Sequence, residues 1–199
     1  MWLPLFLSVE GRAVLVVGAG EIALRKAAEL ARAGAQVTIV SPVSAGDPPQ
    51  GARWIRRAFE PSDVDGAWLV VAATDDAAAQ RDIAAAAERA RIFVLAVDDL
   101  ANATAISPAL VRRGPVTIAI SSNGEAPALT RLLREVVEHI LPDETYVAAA
   151  RALRARWKRD RTPMKSRFPE LLAEMVASET KAASGFGPPK QNPTSKLSR

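Results

Sequence analysis

Residues 13–40 read AVLVVGAGEIALRKAAELARAGAQVTIV, and the order of features in this stretch decides the fold. Ala13 to Val17 is a continuous apolar run, the pattern of a strand buried on both faces. It stops at Gly18-Ala19-Gly20, where the period turns helical. Ala23, Ala27, Leu30, Ala31 and Gly34 share one face, while Arg25, Glu29 and Arg32 turn outward. Gly34 closes the helix, and QVTIV at 36–40 is the next strand. A strand, a helix and a strand joined by turns this short make a right-handed crossover.

The same alternation continues on the C-terminal side. Residues 44–51 (SAGDPPQG) break both periods and form a loop, and 53–57 read as a short strand. Residues 67–73 (AWLVVAA) are a buried strand, 77–90 an alanine-rich helix and 93–97 (FVLAV) a further strand. Strands alternating with helices predict an α/β fold with an open, mostly parallel sheet. After Asp98 the pattern changes. A loop at 99–104 leads to Ala105-Ile106-Ser107-Pro108, an alternating strand at 116–121 and an amphipathic helix at 126–140 with Leu129, Leu132, Leu133 and Val136 on one side. Two more helices are expected at about 143–159 and 166–177. The stretch 184–199 has no core pattern and is expected to be disordered.

The central motif is Gly18-x-Gly20-x-x-Ala23. Gly18 permits the tight turn off the strand, Gly20 lets a pyrophosphate approach the backbone, and Ala23 brings the helix close to the sheet. The phosphates then meet the free amides and the positive dipole end of the helix, so Gly18, Gly20, Glu21 and Ile22 are expected to touch the cofactor. Because the motif follows a strand and opens a helix, it predicts a dinucleotide site in a Rossmann-type domain. The second strand ends in Val40-Ser41-Pro42-Val43, with no acid for a ribose and no arginine for a 2′-phosphate, so the residues leave NAD and NADP open. Ser41 is a ribose donor or a turn former. Thr74-Asp75-Asp76 follows a strand, where this fold presents ligand contacts; one aspartate is expected to cap the next helix, with Thr74 the candidate contact.

Composition limits the partners. The 199 residues carry a formal charge of +4 with a pI near 9.8, which suits anionic ligands without choosing among them. There is no cysteine, so disulfides, zinc thiolates and iron–sulfur clusters are excluded, and a cytosolic setting fits. No apolar run reaches the roughly 18 residues of a membrane span, and MWLPLFLSVEGR lacks the parts of a signal peptide. Residues 151–167 hold eight basic side chains against one acid, Asp160, and read as a solvated face or an anion-contacting surface. With Trp157 the one aromatic among them and Phe168 just beyond, no nucleic-acid partner is expected. His139, the single histidine, makes no metal site.

Beyond the glycine motif, ordered segments resemble the precorrin-2 dehydrogenase module of sirohaem biosynthesis. They are Leu3-Pro4-Leu5-Phe6-Leu7, Val14 to Ala23 with Arg25-Lys26-Ala27, Gly34-Ala35-x-Val37-Thr38, and Val71-Ala72-Ala73-Thr74-Asp75-Asp76. Val97-Asp98-Asp99, Ile106-x-Pro108-Ala109, Pro115 to Ser121, and Ala126-Pro127-x-Leu129 through Arg134 complete the series. The resemblance implies NAD as cofactor, a tetrapyrrole substrate, Fe²⁺ as a further substrate in some members, and a homodimer. It implies an NAD-binding domain over 1–105, a dimerisation segment over 106–142 and a helical part over 143–180, followed by a tail at 181–199. It places the essential aspartate at Asp98, cofactor contacts at Pro42 and Val43, and a substrate-site serine at Ser122. Asn123 beside it and Arg112 join it as substrate-binding candidates. Asp98 follows the strand at 93–97 and can act as a base or as a loop cap. A chelatase with a vestigial dinucleotide site and a non-enzymatic NAD(H)-sensing dimer are the rival readings.

Overall fold

The computed structural model describes residues 2–141 and 144–184, so most of the expected tail, 185–199, lies outside the described residues, as does Asp143 at the start of an expected helix. The chain divides into two compact units. One is formed by the residues up to Ala109 with Ile120–Arg131, the other by Leu110–Ala119 with the chain from Leu132 on.

The first unit is built on five parallel strands: β1 Ala13–Val17, β2 Gln36–Val40, β3 Arg53–Ile55, β4 Leu69–Ala72 and β5 Phe93–Ala96. Their order is β3-β2-β1-β4-β5. Val14 pairs with Val37 on one side and Leu69 on the other, so the chain reverses its winding beside β1. The strand ends open a crevice at that switch point. Helix α1, Glu21–Arg32, covers one face and α2, Ala77–Ala90, the other. Because side chains alternate across a strand, β1 splits between two cores. Leu15 and Val17 pack with Val70, Ile83 and Ala87, while Val16 packs with Ile39, Ala23 and Ala27. Burying residues such as Ile39 and Ile83 contributes about 1.5–3 kcal/mol each.

The strand expected at 53–57 stops at Ile55. Arg57 instead turns to Asp63, donating to it over 2.7 Å, and Asp63 also accepts from the Glu60 amide at 2.8 Å. The Arg57 guanidinium and that amide hold the Asp63 carboxyl below its usual range. The 3₁₀ turn Pro61–Val64 is built on this anchor.

One strand is missing from the sequence reading: β6, Ala109–Arg113, pairs with β7, Val116–Ile120. A two-residue connection at Gly114-Pro115 makes the pair an antiparallel hairpin. Its short apolar run directly after Pro108 carries too little periodicity to be distinguished from loop. Helix α3, Pro127–Ile140, follows. In the second unit Arg113 donates to the carbonyls of Leu141 (2.7 Å) and Glu138 (3.0 Å), satisfying the end of that helix.

Helices α4, Glu144–Arg159, and α5, Met164–Ser184, pack on each other. Helix α5 runs past the expected 166–177 at both ends. Leu153 and Trp157, one turn apart, are the buried side chains among the described ones of α4. The Trp157 indole donates to Glu170 at 2.7 Å and Arg156 donates to the same oxygen at 2.9 Å. Both bonds hold the Glu170 carboxyl below the ordinary glutamate range, the indole bond being the larger cause. A depressed carboxyl contributes stability above its unfolded pKa and loses it as pH falls through the folded value. Trp157 emission should therefore stay constant from neutrality down to the ordinary glutamate range and change below it. In Glu170→Gln that acid-induced change should vanish; an unchanged acid transition would assign it to another group.

Candidate functional site

The crevice at the strand ends of the first unit is a cleft of about 660 Å³, within the range of small-molecule sites. Its floor is the turn between β1 and α1. Gly18 sits at φ +105°, and a Cβ there would lie 2.1 Å from the Ala73 carbonyl oxygen. That glycine is demanded by the protein itself, because β1 and β4 come too close for any side chain.

Gly20 presents the opposite case. Its φ of −69° suits any residue, and a Cβ would meet nothing within 4 Å. No described neighbour requires a glycine there, whereas a ligand lying on the backbone would. Helix α1 has no side-chain cap, and its first internal bond is Leu24 N–H to Gly20 O at 2.9 Å. The amides of Glu21, Ile22 and Ala23 therefore lack partners within the helix and stand at its positive end. These features fit a pyrophosphate.

The remaining walls come from three strand ends. Ser41 is buried and donates its proton to Val43 O at 2.6 Å, leaving its oxygen only as an acceptor toward the cleft. The Trp54 indole anchors the same residue through Ser41 O at 3.0 Å. Val43 is an exposed part of the lining, and Pro42 is not part of it. The following loop folds over the glycine turn, with Ala45 N–H donating to Ala19 O at 2.9 Å, which adds Ser44 and Ala45 to the wall. No signal in the residues themselves marks this strap, since it depends on a pairing between distant backbone groups.

Thr74 and Asp75 line the cleft after β4, and Asp76 caps α2, accepting from Ala78 N (2.8 Å) and Ala79 N (3.2 Å). Gln80 was not singled out from sequence. Its buried amide donates to the Ala72 and Thr74 carbonyls at 3.4 and 3.0 Å, fixing the exit of β4, and its Oε1 has no partner among the described residues.

Asp98 lines the cleft after β5 at φ +57°. Glu21, Asp75 and Asp98 are the carboxylates of the lining, and among the described residues no Lys, Arg or His belongs to it. The described residues also contain no group of three or more potential metal ligands.

The substrate-binding candidates lie elsewhere. Ser122 Oγ accepts from Ala126 N (3.1 Å) and the Thr130 hydroxyl (2.8 Å), and Ser122 O accepts from Glu125 N at 2.9 Å. Asn123 (φ 55°) and Gly124 (φ 83°) are the two centres of this turn, a pair of positive φ values that Asn-Gly tolerates well. Neither Ser122 nor Asn123 lines the cleft. Arg112 is exposed on β6, which belongs almost entirely to the second unit. Within the basic segment, Arg156 binds Glu170, Arg159 binds Asp160, and Arg167 donates to Thr162 O and lies over Trp157. Arg151, Arg154, Lys158, Arg161 and Lys165 are exposed.

Parallel strands in this order, a glycine turn under uncapped amides and carboxylates at neighbouring strand ends define a dinucleotide-binding protein of the Rossmann class. Residues 5–109 match the family described as putative NAD(P)-binding, and residues 113–139 match the central segment of sirohaem biosynthesis proteins. The chain belongs to that NAD(P)-binding family and carries the sirohaem-biosynthesis segment directly after it. It is 47% identical over 146 residues to siroheme synthase 1 of Cronobacter sakazakii, covering 71% of this chain and 31% of that one. It is 40% identical over 173 residues to siroheme synthase of Photorhabdus laumondii, covering 83% and 37%. The chain thus spans about a third of the length of these relatives. A solved structure described as SirC, precorrin-2 dehydrogenase, shares the fold with a TM-score of 0.69 at 23% identity, covering 86% of this chain and 88% of that one.

The two glycines should separate on substitution. Gly18→Ala is expected to destabilise the domain, by about 1–2 kcal/mol from the positive φ alone, with the Ala73 clash added. Gly20→Ala should leave the urea midpoint nearly unchanged yet weaken NAD(P)⁺ binding about tenfold or more by calorimetry. Equal losses of stability in both variants would mean that Gly20 serves packing rather than a ligand.

Proposed function

We propose that this chain oxidises precorrin-2 to sirohydrochlorin with NAD⁺. The observation that carries the reading is the meeting of uncapped α1 amides and the Asp98 carboxylate in one cleft. The reaction removes two hydrogens from the macrocycle as a hydride and a proton. A bound nicotinamide supplies the hydride acceptor. The chain's residues do the rest: the amides of Glu21 and Ile22 hold the diphosphate, the strand ends carrying Thr74 and Val97 wall the site, and the Asp98 carboxylate accepts the proton. The absence of a cation from the described lining supports NAD rather than NADP, since a 2′-phosphate would meet no opposite charge there.

Features outside the cleft support the remaining parts of the proposal. Leu132, Leu133, Val136 and Ile140 are exposed along one side of α3, which suits a homodimer contact in the segment 106–142. Arg112 and the exposed cations of 151–165 suit a polycarboxylate substrate. Ser122 and Asn123 remain the proposed substrate-side turn. Insertion of Fe²⁺ is a second activity this reading admits, with Asp98 taking the pyrrole protons. No described helix is long and apolar enough to cross a membrane, and a cytoplasmic setting is part of the proposal.

Mixing the protein with precorrin-2 and NAD⁺ should produce the sirohydrochlorin spectrum together with NADH absorbance. Asp98→Asn should lower that rate by about 10²-fold or more while NAD⁺ still binds. An NAD⁺ complex that yields neither product would leave a sensor or a chelatase, and adding Fe²⁺ to sirohydrochlorin in the same cuvette separates those two.

A further inference from the structure

Asp98 and Asp99 are adjacent, yet the fold uses them differently. We propose that Asp99, locked to Asn102, is a positioning residue that fixes the backbone of Asp98 so that its carboxylate stays in the cleft. This rests on the dehydrogenase reading above.

The loop after β5 is closed at both ends. Val97 N–H donates to Ala72 O at 2.8 Å, continuing the β4 pairing one residue past the strand. On the return, the amides of Thr104 and Ala105 donate to Val94 O at 3.0 and 2.9 Å, and the Val94 amide donates to the Thr104 hydroxyl at 2.7 Å. Between these anchors Asp98 stands at φ +57°, a region most L residues avoid and aspartate enters more readily than most. A single residue in that basin needs its neighbours to hold it there.

Asp99 supplies the hold. Its Oδ1 accepts from the Asn102 amide at 3.3 Å, and its Oδ2 accepts from the Asn102 side-chain NH₂ at 2.6 Å. The two bonds close a ring over the 3₁₀ turn Leu100–Asn102. Leu100, half-exposed, reaches over to Gly124. Its Cδ1 occupies the space above Gly124, where a Cβ would come within 2.3 Å of it. With the turn locked on its C-terminal side and Val97 bound on its N-terminal side, Asp98 has little backbone freedom left. Both Asp99 carboxylate oxygens are engaged by Asn102, and Asp99 does not line the cleft, so Asp98 is left as the acid of the pair that meets a ligand.

Asparagine at 99 can keep both bonds without a charge, because Asn102 can turn its amide over to accept. Asp99→Asn should therefore hold kcat within about threefold of wild type, with an unchanged acid limb in the pH profile. Asp99→Ala and Asn102→Ala should each lower kcat roughly tenfold to a hundredfold, as expected of a misplaced reacting group, while NAD⁺ affinity by calorimetry moves less than about twofold. Amide exchange at Asn102 should quicken by about tenfold or more in Asp99→Ala. The proposal is overturned if Asp99→Asn loses turnover as fully as Asp98→Asn, which would make Asp99 itself the proton acceptor. Undiminished kcat in both alanine variants, or exchange unchanged by Asp99→Ala, would overturn it too. A wild-type protein that binds NAD⁺ but forms no NADH would instead remove the dehydrogenase reading, and exchange alone would then report on the lock.

Discussion

The site depends on how closely β1 approaches β4. Gly18 leaves β1 against the Ala73 carbonyl, with no room for a Cβ between them. The Gly18 amide binds Val40 O on β2 at 2.9 Å and the Ala73 amide binds Val17 O at 2.8 Å, so β2, β1 and β4 end at the same level. Helix α1 then starts at the bottom of a crevice rather than on a flank. Its uncapped amides cost free energy unless water or an anion meets them. A side chain capping α1 would relieve that cost and occupy the place of the ligand.

Two aspartate pairs repeat one device at neighbouring strands. After β4, Asp75 faces the cleft and Asp76 caps α2; after β5, Asp98 faces the cleft and Asp99 caps a 3₁₀ turn. In each pair the first residue lies at the strand's exit, where side chains meet ligand, and the second begins the next helical turn, where free amides need an acceptor. The arrangement places carboxylates beside a phosphate-binding turn without asking one group to do both jobs. Gln80 supports the first pair from behind by holding the Thr74 carbonyl.

In the second unit the basic segment is divided by use. Arg156 and Arg167 gather around Trp157 and Glu170, where the charges pin α4 to α5, and Arg159 binds its neighbour Asp160. The exposed remainder, from Arg151 to Lys165, leaves that surface positive. Which cations of the segment are paired depends on which helix face meets α5.

The amino-acid order by itself determined the crossover from β1 through α1 to β2, the parallel sheet, the alanine-rich α2 and the identity of the glycine turn. These are local matters of period, turn chemistry and apolar runs, which a short window contains. It also narrowed the cap of α2 to Asp75 or Asp76 without choosing between them. Only the tertiary structure decided that packing requires Gly18 while open space surrounds Gly20, that residues 43–45 strap over the turn, that Ala109–Arg113 is a strand, and that Asp99 is committed to Asn102. Each of these turns on a distance between groups far apart in sequence, or on a side-chain direction that the period of a strand or helix does not fix.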